Sequence, residues 1–180
     1  MAVPDIGQGY RGVDGHSGYL LRQAWHAFRG AMEQALRPYG LTSAQFAVLS
    51  VLARSPGASN ADLARACNTT PQAMIGVLAT LERAGLTRRH PHPTHGRILQ
   101  VTLSAVGRQR LESAQPAVRE LEREAERGLS AADLTTIKAW LVTTGKRLER
   151  PTTSRVDRSP DLTTPDGRGS ALPTPGRDRL

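Results

Sequence analysis

Apolar residues recur along this chain at helical spacing, in successive runs that each open on a residue able to cap a helix. Leu20, Leu21, Ala24, Phe28, Ala31, Met32 and Ala35 mark one face of a helix over 19–36, which Pro38-Tyr39-Gly40 ends. Thr42 with Gln45 three residues on has the form of a capping box, in which each residue satisfies a backbone N–H near the other. It opens a helix with Phe46, Leu49 and Leu52 on one face, stopped by Pro56-Gly57. Ser59 and Asp62 repeat the device ahead of a short helix bearing Leu63, Ala64 and Cys67. Thr70-Pro71 predicts an N-cap followed by proline in the first helical position, and that helix stops at Gly85.

The period then changes. Segments 86–90 and 98–103 are short, and in the second Ile98, Gln100 and Thr102 alternate with Leu99, Val101 and Leu103. Between them lies the turn-forming run His90-Pro-His-Pro-Thr-His-Gly-Arg97, so the two segments predict a two-stranded hairpin with a loop. Ser104 caps a long helix to about residue 127, and Ser130 with Asp133 opens a last one to about 149. The fold class expected is mainly α: a winged helix-turn-helix lobe over about 42–103, with further helices over about 17–38 and 104–149. The flanks 1–16 and 150–180 are rich in Gly, or in Pro, Thr, Ser and Arg, with little apolar clustering. Such composition buries too little area to offset the entropy of ordering, so both are expected to be disordered tails on one domain, 17–149.

Within the predicted helix 71–84, Met74, Val77, Leu78 and Leu81 form the apolar stripe. The opposite face carries Gln72, Ala73, Gly76, Ala79, Thr80 and Arg83. A merely solvated face favours Glu, Lys and Arg, whereas small side chains let a helix sit deep in a DNA major groove, where Gln can make two bonds to an adenine edge. Gly76 in mid-helix costs about 1 kcal/mol relative to Ala, and close approach to a partner would explain tolerating it. Thr69, Thr70 and the first amides of this helix are placed to hold a phosphate.

Charge sharpens that picture. The chain of 180 residues has a formal net charge of +8, which suits a polyanionic partner. No acidic residue falls between Glu82 and Glu112, a stretch holding Arg83, Arg88, Arg89, Arg97, Arg108 and Arg110 with His90, His92 and His95. The gap coincides with the hairpin and its flanks. Arg97, at the loop end, is expected to enter a minor groove, and Arg88 and Arg89 to meet phosphates.

The ordered set of these motifs resembles the MarR family of transcription regulators. It runs from Leu41-Thr-Ser-Ala-Gln-Phe-Ala-Val-Leu through Asp62-Leu-Ala, Thr70-Pro-Gln-Ala-Met and Leu81-Glu-Arg-Ala-Gly-Leu-Thr-Arg-Arg, then His95-Gly-Arg, to Leu103-Ser-Ala-Val-Gly. The resemblance covers about 17–149. It implies that the helix over 71–84 enters the major groove, that the hairpin is the wing, and that the first and last two helices form a homodimer interface. Family wings commonly carry Asp, any residue, then Arg; here His95 replaces the Asp, so Arg97 lacks that carboxylate brace. The apolar positions of the last two helices also suit helix-against-helix packing: Leu111, Val118 and Leu121 in one, Leu134, Ile137, Leu141 and Leu148 in the other. A two-fold dimer requires a pseudo-palindromic operator. The resemblance further implies release by a small aromatic or phenolic effector, with Trp25, His26, Phe28 and Phe46 as candidate pocket residues.

Other chemistry is thin. Gly7, Gly9 and Gly12 spell a dinucleotide fingerprint, but with no preceding strand or βαβ unit. No paired catalytic constellation is visible, so an enzyme is not expected, nor is a cofactor. His90, His92 and His95 leave a metal-responsive regulator as an alternative, although no Cys or acid lies beside them. A winged-helix protein-interaction module without DNA binding is the other. The single Cys67 falls on an apolar face and suits a structural thiol, and a cytoplasmic protein is expected from the lack of a signal or membrane-spanning segment.

Overall fold

The computed structural model describes residues 3–91 and 99–149. The helices are α1 (Ser17–Leu36), α2 (Ser43–Arg54), α3 (Asn60–Ala66), α4 (Pro71–Arg83), α5 (Ala105–Ala125) and α6 (Ala131–Leu148). The strands are β1 (Ala58–Ser59), β2 (Thr87–Pro91) and β3 (Leu99–Leu103), antiparallel in the order β1-β3-β2. Chain contacts divide the molecule into a unit ending at Leu134 and a second beginning at Thr135, which takes most of α6.

The expected caps form. Thr42 and Gln45 make a reciprocal capping box on α2, Ser59 and Asp62 another on α3, and Ser130 and Asp133 share the same bonds ahead of α6. Bonds from Ser59 hold the Asp62 carboxyl below its usual range. Its pKa is depressed on folding, so its contribution is present above the unfolded pKa and is lost as the pH falls through the folded value. The helix-turn-helix corner is a Schellman turn at the end of α3: Asn68 takes the left-handed conformation (φ 49°), its N–H reaching Arg65 O at 3.2 Å and the Thr69 N–H reaching Ala64 O at 2.9 Å. The same turn ends α4, with Gly85 at φ 69° and the Leu86 N–H on Leu81 O at 2.9 Å. Cys67 is half-buried against the core, and burial raises its thiol pKa.

The core joins α1, α2, α3, α4, β3 and α5 through Leu36, Leu49, Leu52, Leu63, Met74, Leu78, Leu81, Val101 and Leu111, all essentially inaccessible. The seam on α5 therefore has an internal partner. Leu111 and Val118 are only 1% and 6% exposed within the single chain, where α5 packs against α1 and α2. Spacings of three and four specify a helical partner without saying whether it belongs to the same chain. Leu121 and Leu134 are half-buried, while Ile137, Leu141 and Leu148 are exposed, as are Trp140 and Val142. No residue of α6 is buried.

Two further differences from the sequence reading have local causes. The hairpin gains a third, two-residue strand, because Gly57 turns at φ 82° and donates its N–H to Val101 O at 3.0 Å, laying Ala58 opposite Val101. The segment before α1, expected to be disordered, makes a short 3-10 turn at Gly9–Arg11. The Arg11 guanidinium holds it to α1 by donating to Gln23 Oε1 at 3.0 Å, and the Tyr10 and Tyr19 rings meet edge to face.

Candidate nucleic-acid interface

The base of the hairpin is joined to α5 at one point. The Ser104 hydroxyl donates to Gly85 O at 2.6 Å and accepts from the Gly107 N–H at 2.9 Å, while the Ser104 N–H reaches Leu86 O at 3.0 Å. The first turn of α5 consequently lies directly against the turn that ends α4. A Cβ on Gly107 would come within 2.0 Å of Leu86 O.

Helix α4 buries Met74, Leu78 and Leu81. At 3.6 residues per turn, Gln72, Gly76, Ala79 and Arg83 line up on the opposite side. Gln72, Ala73, Gly76 and Arg83 are exposed, and Ala79 is half-buried. A Cβ on Gly76 would meet no neighbouring atom within 4 Å, so nothing inside the chain requires glycine there. Thr69 and Thr70 are exposed at the start of α4, and the Thr70 hydroxyl is occupied as N-cap, accepting from the Ala73 N–H at 3.1 Å.

The flanks of α4 are tied internally. On the α2 side, the Thr80 hydroxyl donates to Val77 O at 2.7 Å and accepts from Gln45 Nε2 at 3.1 Å. On the hairpin side, Glu82 Oε1 pairs with Arg89 Nε at 2.6 Å. Two residues expected on the outer surface, Thr80 and Arg89, thus also hold the helix, Arg89 through its Nε while remaining exposed. Sequence reasoning missed both partners, since Gln45 lies 35 residues from Thr80 and already had a local role in its capping box. Arg88 is exposed on β2. His95 and Arg97, with His92, lie outside the described residues. Among the described residues no group of His, Cys, Asp and Glu has metal-binding proximity.

The four residues expected to form an effector pocket have different surroundings. Trp25 is 57% exposed, and Phe46 packs against the core. Phe28 is half-buried, and His26 lines a cleft with Ile6, Arg11, Tyr19 and Arg22. A larger cleft, about 620 Å³, lies between the α1–α2 connection and α5. Arg37, Tyr39, Val106, Gln109, Arg110 and Ser113 line it, and Arg110 Nη1 donates to Tyr39 O at 2.8 Å. Its two arginines lie far apart in the chain, so no local signal in the sequence pointed to it.

Two helices, a tight corner, a third helix and a hairpin in this order define a winged helix-turn-helix protein. A model of the MarR family matches residues 39–98, which span α2 to the hairpin. The chain is 43% identical over 106 residues to a helix-turn-helix-type transcriptional repressor of Mycobacterium tuberculosis, covering 59% of this chain and 76% of the relative. Among solved structures it resembles a Mycobacterium tuberculosis MarR family protein in complex with p-aminosalicylic acid, with a TM-score of 0.59, 37% identity, and 73% and 99% of the two chains covered. It also resembles the transcriptional repressor CouR bound to a 23-mer DNA duplex, with a TM-score of 0.68, 26% identity, and 72% and 92% covered. The chain belongs to the MarR family of transcriptional regulators. Its fold and relatives are those of regulators, not enzymes, and no helix among the described residues is long and apolar enough to cross a membrane.

Gly76→Ala should separate fold from function. With open space at the new Cβ, the variant is expected to gain about 0.5–1 kcal/mol in denaturant unfolding. If the helix seats closely on DNA, the same methyl group should weaken duplex binding in a mobility-shift titration. Tighter or unchanged binding would mean that α4 does not approach its partner at this position.

Proposed function

We propose that this protein is a homodimeric repressor that reads double-stranded DNA with the outer ridge of α4 and is released by a small aromatic acid. The observation that carries the reading is the ridge itself: Gln72, Gly76 and Ala79 expose amide, backbone and methyl instead of charge, on a helix tied down along both flanks. Gln72 supplies the base-edge contact, and Ala73 and Gly76 keep the approach close. Thr69, Thr70 and the α4 amides face a phosphate. Arg83 and Arg88 grip the backbone, and His95 and Arg97, in the sequence between β2 and β3, are assigned to the same task. Arg89 contributes less than its charge suggests, because Glu82 neutralises it.

A second copy of the chain is the partner for Ile137, Leu141 and Leu148, which are exposed on α6 among the described residues. Each copy presents one α4, so the operator is pseudo-palindromic, with half-site centres about one helical turn apart. The cleft beside α5 suits an aromatic carboxylate: Arg37 and Arg110 offer guanidinium donors, and Tyr39 and Val106 an apolar wall. This moves the effector site away from Trp25, His26, Phe28 and Phe46. The relative crystallised with p-aminosalicylic acid supports that ligand class.

Gln72→Ala tests the reading helix. It should weaken a preferred duplex, recovered from a random pool, by about 1–3 kcal/mol and relax the preference at one base position per half-site. Equal weakening on every duplex would show that Gln72 reads no base.

A further inference from the structure

The two polar ties on α4 have a geometry that its core contacts alone do not supply. Met74, Leu78 and Leu81 fix how close the helix lies to the core. All three lie on one stripe, so contacts on the flanks of the helix have the longest lever on its roll about the axis. Thr80 lies on one flank and Glu82 on the other, so bonds to both act at right angles to the apolar stripe and set the roll.

The Gln45–Thr80 bond is the better defined of the two. Gln45 is held at both ends of its amide: Oε1 accepts from the Thr42 N–H at 3.0 Å, within the α2 capping box, and Nε2 donates to Thr80 Oγ1 at 3.1 Å. The Thr80 hydroxyl in turn donates to Val77 O at 2.7 Å, which fixes its lone pairs toward Gln45. The chain of bonds thus runs from the backbone that begins α2 to the backbone of α4, and every polar group along it is used. Both side chains are half-buried, which limits competition from water.

We propose that Gln45 is a positioning residue for DNA sequence recognition, setting the roll of α4 through Thr80. Side-chain tips lie about 5–6 Å from a helix axis, so a roll of about 10° moves the Gln72 amide by about 1 Å. That displacement breaks a two-bond contact to a base edge and hardly alters contacts to phosphate, which long arginines can follow. Losing the bond therefore costs discrimination between sequences more than overall affinity. The proposal rests on α4 reading DNA, but its structural half holds for the protein alone.

The test uses the full chain with Thr80→Val, which keeps the side-chain shape and removes the hydroxyl, and with Gln45→Glu, which keeps the acceptor for the capping box and removes the donor. The ratio of affinities for a preferred and a scrambled duplex should fall about tenfold in each variant. The salt dependence on the scrambled duplex should stay unchanged, and the double variant should fall no further than either single one. Without DNA, hydrogen exchange at the α4 amides between Met74 and Ala79 should accelerate in both variants while α3 is unaffected. Unchanged exchange overturns the clamp. Faster exchange with a preserved affinity ratio overturns its role in recognition. A wild-type protein indifferent to all duplexes, with the exchange result intact, overturns the DNA reading and leaves the clamp.

Discussion

Gly107→Ala is expected to cost about 3 kcal/mol or more and to strip the purified protein of most of its cooperative unfolding transition. The new Cβ would sit 2.0 Å from Leu86 O and 2.9 Å from its carbonyl carbon, well inside contact distance and against backbone that cannot rotate away. Relief requires moving either the first turn of α5 or the turn after α4. Either movement breaks bonds around Ser104, whose hydroxyl joins Gly85 O to the Gly107 N–H in a largely buried position. Overpacking with loss of buried hydrogen bonds belongs among the mechanisms that give large single-residue effects. Urea unfolding followed by circular dichroism gives the number. A loss below about 1 kcal/mol would show that α5 and the hairpin base separate easily. Such a joint could not hold the reading helix in fixed relation to the rest of the molecule.

The second large effect is in salt. If a dimer neutralises about six to ten phosphates, duplex affinity should fall by about 10³–10⁵ between 50 and 200 mM salt. The structure divides the arginines of the acid-free stretch unequally. Arg88 is exposed on β2, whereas Arg89 is paired with Glu82. Arg88→Ala, removing one phosphate contact per protomer, should flatten the log–log slope by about 1.8 and weaken all duplexes alike. Arg89→Ala should change the slope much less, because Arg89 is already paired with Glu82 and gives up no phosphate contact. A larger effect at Arg89 than at Arg88 would reverse this assignment, and a flat salt dependence in the wild type would remove phosphate neutralisation from the account.

Local signals carried the helices well. Thr42 with Gln45, Ser59 with Asp62 and Ser104 all cap helices where the sequence placed them, because a cap and its target lie within three residues. The left-handed Gly85 ends α4 for the same reason. What the sequence hid was the identity of partners far along the chain. Leu111 and Val118 carried a spacing that any helix could satisfy, and α1 and α2 satisfy it first. Thr80 and Arg89 looked like surface polar groups until folding brought Gln45 and Glu82 beside them. Gly107 closes the Leu103-Ser-Ala-Val-Gly run, but its need for a bare backbone was hidden, because it arises from Leu86, which only the fold places opposite. The ridge of α4 was legible because a helix face is a local property; the cleft beside α5 was not, because its two arginines come from separate helical regions.

Dimeric reading of two successive major grooves is tested most directly by the spacing of half-sites. Two copies of the preferred half-site are placed on one duplex, with centres one helical turn apart or with five base pairs inserted between them, and affinity is measured at fixed salt alongside the mass of the complex. Two protein chains per duplex at the first spacing, and a fall to the affinity of a scrambled duplex at the second, is the predicted result. Equal affinity at both spacings, or a single chain bound with full preference, would contradict it.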